Sequence, residues 1–177
     1  LVLVRSEQKG LYAGIGKRLS MDYEVQFCVD NAFVESAIKK ILPDSQIPIQ
    51  ILPEIRLNPE PNSDTVKNAA GLEKKYGQTM SFLLSGDRNL GRGYLTNIDR
   101  YVSTKRMYWS HRMRMQFLVN EIEKYEQVLC GYDVLICQYP ESVPVMVCEH
   151  FGIHHYHLLP AKFGDRCFWS NDGYIRS

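Results

Sequence analysis

Apolar residues along this chain gather into short β-branched runs, separated by stretches where they recur every three or four positions. This is the alternation expected when strands and helices take turns. Leu1 to Val4 predicts a first strand and Tyr23 to Val29 a second. Asp30 or Asn31 is placed to cap a helix from Ala32 to Ile41, whose Phe33, Val34, Ala37, Ile38 and Ile41 share one face ahead of Pro43. Ile47 to Leu52 predicts a third strand, with Pro48 at its start or on an edge. The proline-rich segment Pro53 to Ser63 is a loop, and Asp64 opens a helix to Tyr76 that Gly77 stops. Met80 to Leu84 fits a strand or a buried helical turn, and is taken as a strand.

The longest helix is expected from Asn97 or Thr104 to Cys130, with Met107, His111, Met115, Leu118, Ile122, Tyr125 and Leu129 along its apolar stripe. Gly131 ends it. Val134 to Cys137 then reads as a buried parallel strand, Glu141 and Ser142 open a helix to Phe151, Gly152 stops it, and Ile153 to Leu159 is the next strand. Strands alternating with helices predict an α/β fold: a Rossmann-like, open, mostly parallel sheet flanked by helices. Residues 1–177 are expected to form a single domain.

Composition narrows the partners. Lys and Arg total 21 against 20 Asp and Glu, which gives no global electrostatic case for nucleic acid. No run approaches the roughly 18 apolar residues of a membrane span, so a cytoplasmic protein is expected. Five cysteines without CxxC spacing read as free thiols of a reducing compartment. His150, His154, His155 and His157 cluster without the HExxH spacing, and neither a metal nor another cofactor is expected.

Candidate chemistry lies in the loops. Gly10, Gly14 and Gly16 are expected at a strand-to-helix turn that either packs closely or offers backbone N–H groups to an anion. The spacing is not a Walker A motif, because five residues separate Gly10 from Gly16 and Arg18 stands where the hydroxyl belongs. It is not GxGxxG either. Ser85 to Tyr94 holds Arg88 and Arg92, suited to gripping a carboxylate or phosphate or simply to pairing with Asp87. Glu141 stands just past a strand, where a carboxylate serves as general acid or base. His157 is a candidate hydrogen-bond partner for substrate, and Asp165 and Arg166 follow the next strand, where they either bind a ligand or fix the loop.

A strand passing into Pro140-Glu141, a helix, Gly152-Ile153 and a strand closing in Asp165-Arg166 resembles the amino-terminal half of a GT-B glycosyltransferase of bacterial surface-polysaccharide assembly, most similar to the retaining β-Kdo transferases. The resemblance covers mainly residues 80–177. It implies an acceptor-binding domain completed by a second domain, absent from this sequence, that binds the nucleotide sugar. Glu141 would be the acid/base at a saccharide acceptor, with Arg88, Arg166 and the glycine-bearing turn lining the acceptor site. The other reading is a stand-alone α/β binding or regulatory module for an anionic ligand or a partner protein. A small hydrolase is disfavoured by the lack of a GxSxG elbow.

Overall fold

The structure is a computed structural model and describes residues 1–4, 8–53, 59–86, 109–138, 141–160 and 167–172. The strands are β1 (Val2–Val4), β2 (Phe27–Val29), β3 (Ile49–Ile51), β4 (Val134–Cys137), β5 (His154–Pro160) and β6 (Cys167–Ser170). The helices are α1 (Lys9–Leu19), α2 (Ala32–Ile41), α3 (Thr65–Tyr76), α4 (Met80–Gly86), α5 (His111–Leu129) and α6 (Ser142–Phe151). Among the described residues no helix is long and apolar enough to cross a membrane.

The six strands form one sheet in the order β3-β2-β1-β4-β5-β6. All neighbours are parallel except β5 and β6. The expected Rossmann-like, mostly parallel sheet is therefore present. The strand order reverses between β1 and β4, because β1 leads outward to β2 and β3 while β4 leads the other way to β5.

The chain forms two compact units. Unit 1 holds Leu1–Pro53, Val128–Pro140 and Phe151–Ser177, and with them the whole sheet, α1 and α2. Its core joins Val2, Val4, Phe27, Val29 and Leu158 of the sheet to Tyr12 of α1 and to Val34 and Ile38 of α2. The cap of α2 is Asn31, whose Oδ1 accepts from the N–H groups of Phe33 and Val34 at 3.0 and 3.1 Å.

Gly14 and Gly16 lie within α1, not in the turn before it, which corrects the glycine-turn expectation. Only at Gly16 is the role steric. A Cβ at Gly16 would sit 2.3 and 2.4 Å from Cζ and Cε1 of the buried Phe27 ring, whereas one at Gly14 meets nothing within 4 Å. The two positions should respond oppositely to alanine. Gly14→Ala should stabilise by up to about 1 kcal/mol through helix propensity, and Gly16→Ala should destabilise by about 1–3 kcal/mol through overpacking. Denaturant midpoints of the two variants test this, and equal signs would show that Phe27 yields freely.

Unit 2 comprises Glu54–Gln127 and Glu141–His150 and contains α3, α4, most of α5 and most of α6. The expected α5 stripe is buried at Leu118, Ile122, Tyr125 and Leu129. Glu126 ties α3 to α5 by accepting from Tyr76 Oη at 2.5 Å and Lys75 Nζ at 2.9 Å. Burial, reinforced by the adjacent Glu126 carboxylate, holds the Tyr76 phenol well above its usual range. Thr65 Oγ1 donates to Gln116 Oε1 at 2.5 Å in the interior.

Met80 to Leu84 is helical, not the expected strand. The Glu73 side chain accepts the Met80 N–H at 2.7 Å and Thr79 Oγ1 accepts from Phe82 N–H at 3.1 Å, two bonds that cap a helix start. An apolar run this short carries no period of its own. The strand β6 was not expected, and it pairs antiparallel with β5 along the stretch from His157 to Pro160.

Candidate functional site

In an open α/β sheet the ligand crevice lies beyond the carboxyl ends of the strands, where the strand order reverses. Here that is the junction of β1 and β4. Helix α1 starts soon after β1; among the described residues its N-cap Gln8 makes no side-chain cap bond, and its first turn has no acidic residue. The amino end of α2, by contrast, is closed by its own Asn31. Free N–H groups at a helix start favour an oxygen ligand that carries negative charge.

Two side-chain amides accompany this junction. Gln8 Oε1 is buried without a hydrogen-bond partner among the described residues, and so is Nε2 of Gln138, the residue after β4. Gln138 is 4% exposed, so its spare donor is already out of water. An unmet buried amide costs about 1–3 kcal/mol, which a polar ligand or an ordered water would relieve. Sequence reasoning passed over both glutamines. The available signal was an amide near the end of an apolar strand, directly after β4 for Gln138 and four positions after β1 for Gln8.

Glu141 belongs to unit 2 and comes four positions after the last residue of β4. Its carbonyl accepts from the Val145 N–H at 3.1 Å, so it is the N-cap of α6, and the helix dipole favours negative charge there. Tyr125 Oη lies 3.4 Å from its Oε2, a long contact. The carboxylate is partly exposed, as an acid/base residue must be to meet a substrate.

His157 is placed differently from the sequence expectation. It sits within β5 and is fully buried. Register pairs Cys137 with His157, so both side chains take the same face of the sheet, and His155 shares it two residues away. The Cys137 Sγ lies 3.1 Å from His157 Nδ1, and His157 Nε2 lies 2.9 Å from His155 Nδ1. One neutral arrangement runs from the thiol S–H into His157 and from the His157 N–H into His155; the other reverses it. The ring therefore belongs to a core network and is not turned to the crevice.

Arg88, Arg92, Asp165 and Arg166 lie outside the described residues. Among the described residues there is no group of three or more His, Cys, Asp and Glu able to hold a metal ion.

The cysteines divide by exposure. Cys130 and Cys167 are exposed, while Cys28, Cys137 and Cys148 are buried. Burial, with the neighbouring Glu149 carboxylate, pushes the Cys148 thiol up to about 12. Since the thiolate is the reactive form, a colorimetric thiol reagent at neutral pH should titrate the two exposed cysteines quickly and all five only in denaturant. Rapid titration of a third would show that the interior opens readily.

The fold is that of an α/β domain whose mostly parallel sheet reverses its strand order between β1 and β4. No family model, no curated protein and no solved structure matches the chain.

Proposed function

We propose that this chain is the acceptor-binding domain of a GT-B-type glycosyltransferase building a cell-surface polysaccharide, with Glu141 as the acid/base. The observation that carries the reading is the sheet order, with its reversal at β1 and β4, combined with a carboxylate four residues past β4. β4 borders the reversal, so the chain segment leaving it is where a doubly wound sheet supplies reactive groups. Supporting it are the spare donor of Gln138 and the start of α1, without a side-chain cap from Gln8, which suit a hydroxylated or acidic saccharide. The nucleotide sugar would be held by a second domain.

The start of α1 equally favours the second reading, a binding or regulatory module for a small anion. Thermal shift of this 177-residue chain separates the two. Stabilisation by acidic or neutral oligosaccharide acceptors, without a response to nucleotides or inorganic phosphate, is the expected result. A ligand at 100 times its Kd stabilises by about 2.7 kcal/mol, which for a chain of this size is a shift of several degrees. A response to phosphate alone would favour the regulatory module, and a response to nucleotides would assign this chain to the donor side.

A further inference from the structure

The amino ends of the strands in unit 1 carry a second cleft, of about 1570 Å³. It is lined by residues that precede β2, β3 and β4, among them Gln26, Ile47 and Tyr132, and by the carboxyl ends of α1 and α2. At about 3.3 Å per strand residue, it lies a strand's length of roughly 10–13 Å from the crevice at the other end of the sheet. Nothing in the transfer chemistry proposed above uses it.

One wall is aromatic. Register places Ile136 beside Tyr156, and Leu158 beside Trp169, so Tyr156 and Trp169 take the same face of the sheet. The helices α1 and α2 pack on this face through Val2, Phe27 and Val29. Farther along it, Tyr156 is 39% and Trp169 50% exposed, and both line the cleft. The floor is polar and already oriented. The Tyr132 hydroxyl donates to Gln26 Oε1, and Gln26 Nε2 donates to Gln50 Oε1 at 3.0 Å. This leaves a second amide hydrogen on Gln26 and the lone pairs of the Tyr132 oxygen for a ligand.

Charge restricts the ligand further. Among the described side chains that line the cleft, Glu24, Asp44 and Asp133 outnumber Lys17, and none is an arginine. A purely apolar ligand would strip water from these carboxylates and from the Gln26 amide without replacing it. An anion would meet net repulsion. A pyranose chain suits both surfaces, because its C–H faces cover aromatic rings while its hydroxyls exchange hydrogen bonds with amides, phenols and carboxylates.

We propose that this cleft is a saccharide-binding groove for neutral or amine-bearing oligosaccharides, with Trp169 and Tyr156 as stacking platforms and Gln26 and Tyr132 as hydroxyl partners. It is an accessory seat, independent of whether the chain takes part in sugar transfer.

Isothermal titration of the chain with neutral, amine-bearing and uronic-acid hexasaccharides tests the proposal. Trp169 fluorescence provides a parallel signal, because Trp109 is buried at 7% exposure. Saturable binding of a neutral or amine-bearing chain is expected, weakened at least about tenfold by Trp169→Ala or Tyr156→Ala and unaffected by Val66→Ala at an exposed position of α3. Both aromatic positions are half-exposed, so the melting temperature of each variant should stay close to that of the parent. Three results would overturn the proposal: no binding of any hexasaccharide, preference for the uronic-acid chain, or binding lost in Gln138→Ala and kept in Trp169→Ala. Self-association in the ultracentrifuge that Trp169→Ala abolishes would likewise overturn it, by making this face an interface between copies.

Discussion

On the proposed transferase reading, Glu141→Gln in a transfer-competent protein should lower sugar transfer by about 10²–10⁴-fold, the usual range for removing a positioned general acid or base. The loss should fall on kcat, because the amide keeps the shape and hydrogen-bonding reach of the carboxylate while losing its ability to exchange a proton near neutral pH. Stability should stay within about 0.5 kcal/mol of the parent. Glu141 is partly exposed, and its Tyr125 contact at 3.4 Å can be made equally well by the amide oxygen. Capping of α6 rests on the Glu141 carbonyl, which the substitution does not touch. A variant that transfers sugar at the parent rate would remove Glu141 from the acid/base role, whatever the thermal-shift screen had shown. A variant that loses transfer and also several degrees of melting temperature would mark the residue as structural.

His157→Ala should cost unit 1 about 3–5 kcal/mol, the largest stability effect expected of any substitution named here. Two terms combine. Removing a fully buried ring leaves a cavity, and its two neighbours, Cys137 Sγ at 3.1 Å and His155 Nδ1 at 2.9 Å, lose partners inside the protein. Cys137→Ala removes one member of the network and should cost about 1–3 kcal/mol. Because the two side chains share one network, the double variant should be less destabilised than the sum of the singles. Denaturant unfolding of the three proteins measures this directly. A cost below about 1 kcal/mol for His157→Ala would mean that the network is not formed in solution.

The surroundings of the candidate site were legible in part. That Glu141 stands at the start of α6 could be read from sequence because an apolar strand followed by a proline and a helix start fixes where that residue falls along the chain. The helix boundaries at Asn31, Gly77, Gly131 and Gly152 were also readable. Asn31 carries its own capping oxygen, and the three glycines take the left-handed conformation, with φ of 68, 88 and 70°. His157 was legible only as far as its face. Alternation placed it with His155 and opposite His154, but whether that face met solvent or core depends on what covers the sheet, and local sequence does not record this. The glycines of α1 were misplaced for a related reason. A glycine serves a tight turn and a close helix–strand contact equally well, and only the Phe27 ring beside Gly16 distinguishes them.

By itself the sequence determined the alternation of strands and helices, the caps and stops of most helices, and the α/β class, since each depends on residues within a few positions of one another. Tertiary structure decided the rest: the order β3-β2-β1-β4-β5-β6, the antiparallel return of β6, the helical state of Met80 to Leu84, and the burial of His157 beside Cys137. All but the helix at Met80 to Leu84 depend on partners distant in the chain, where a polar side chain has no way to signal what will pack against it; that helix turns on bonds from Glu73 and Thr79, because a short apolar run has no period of its own.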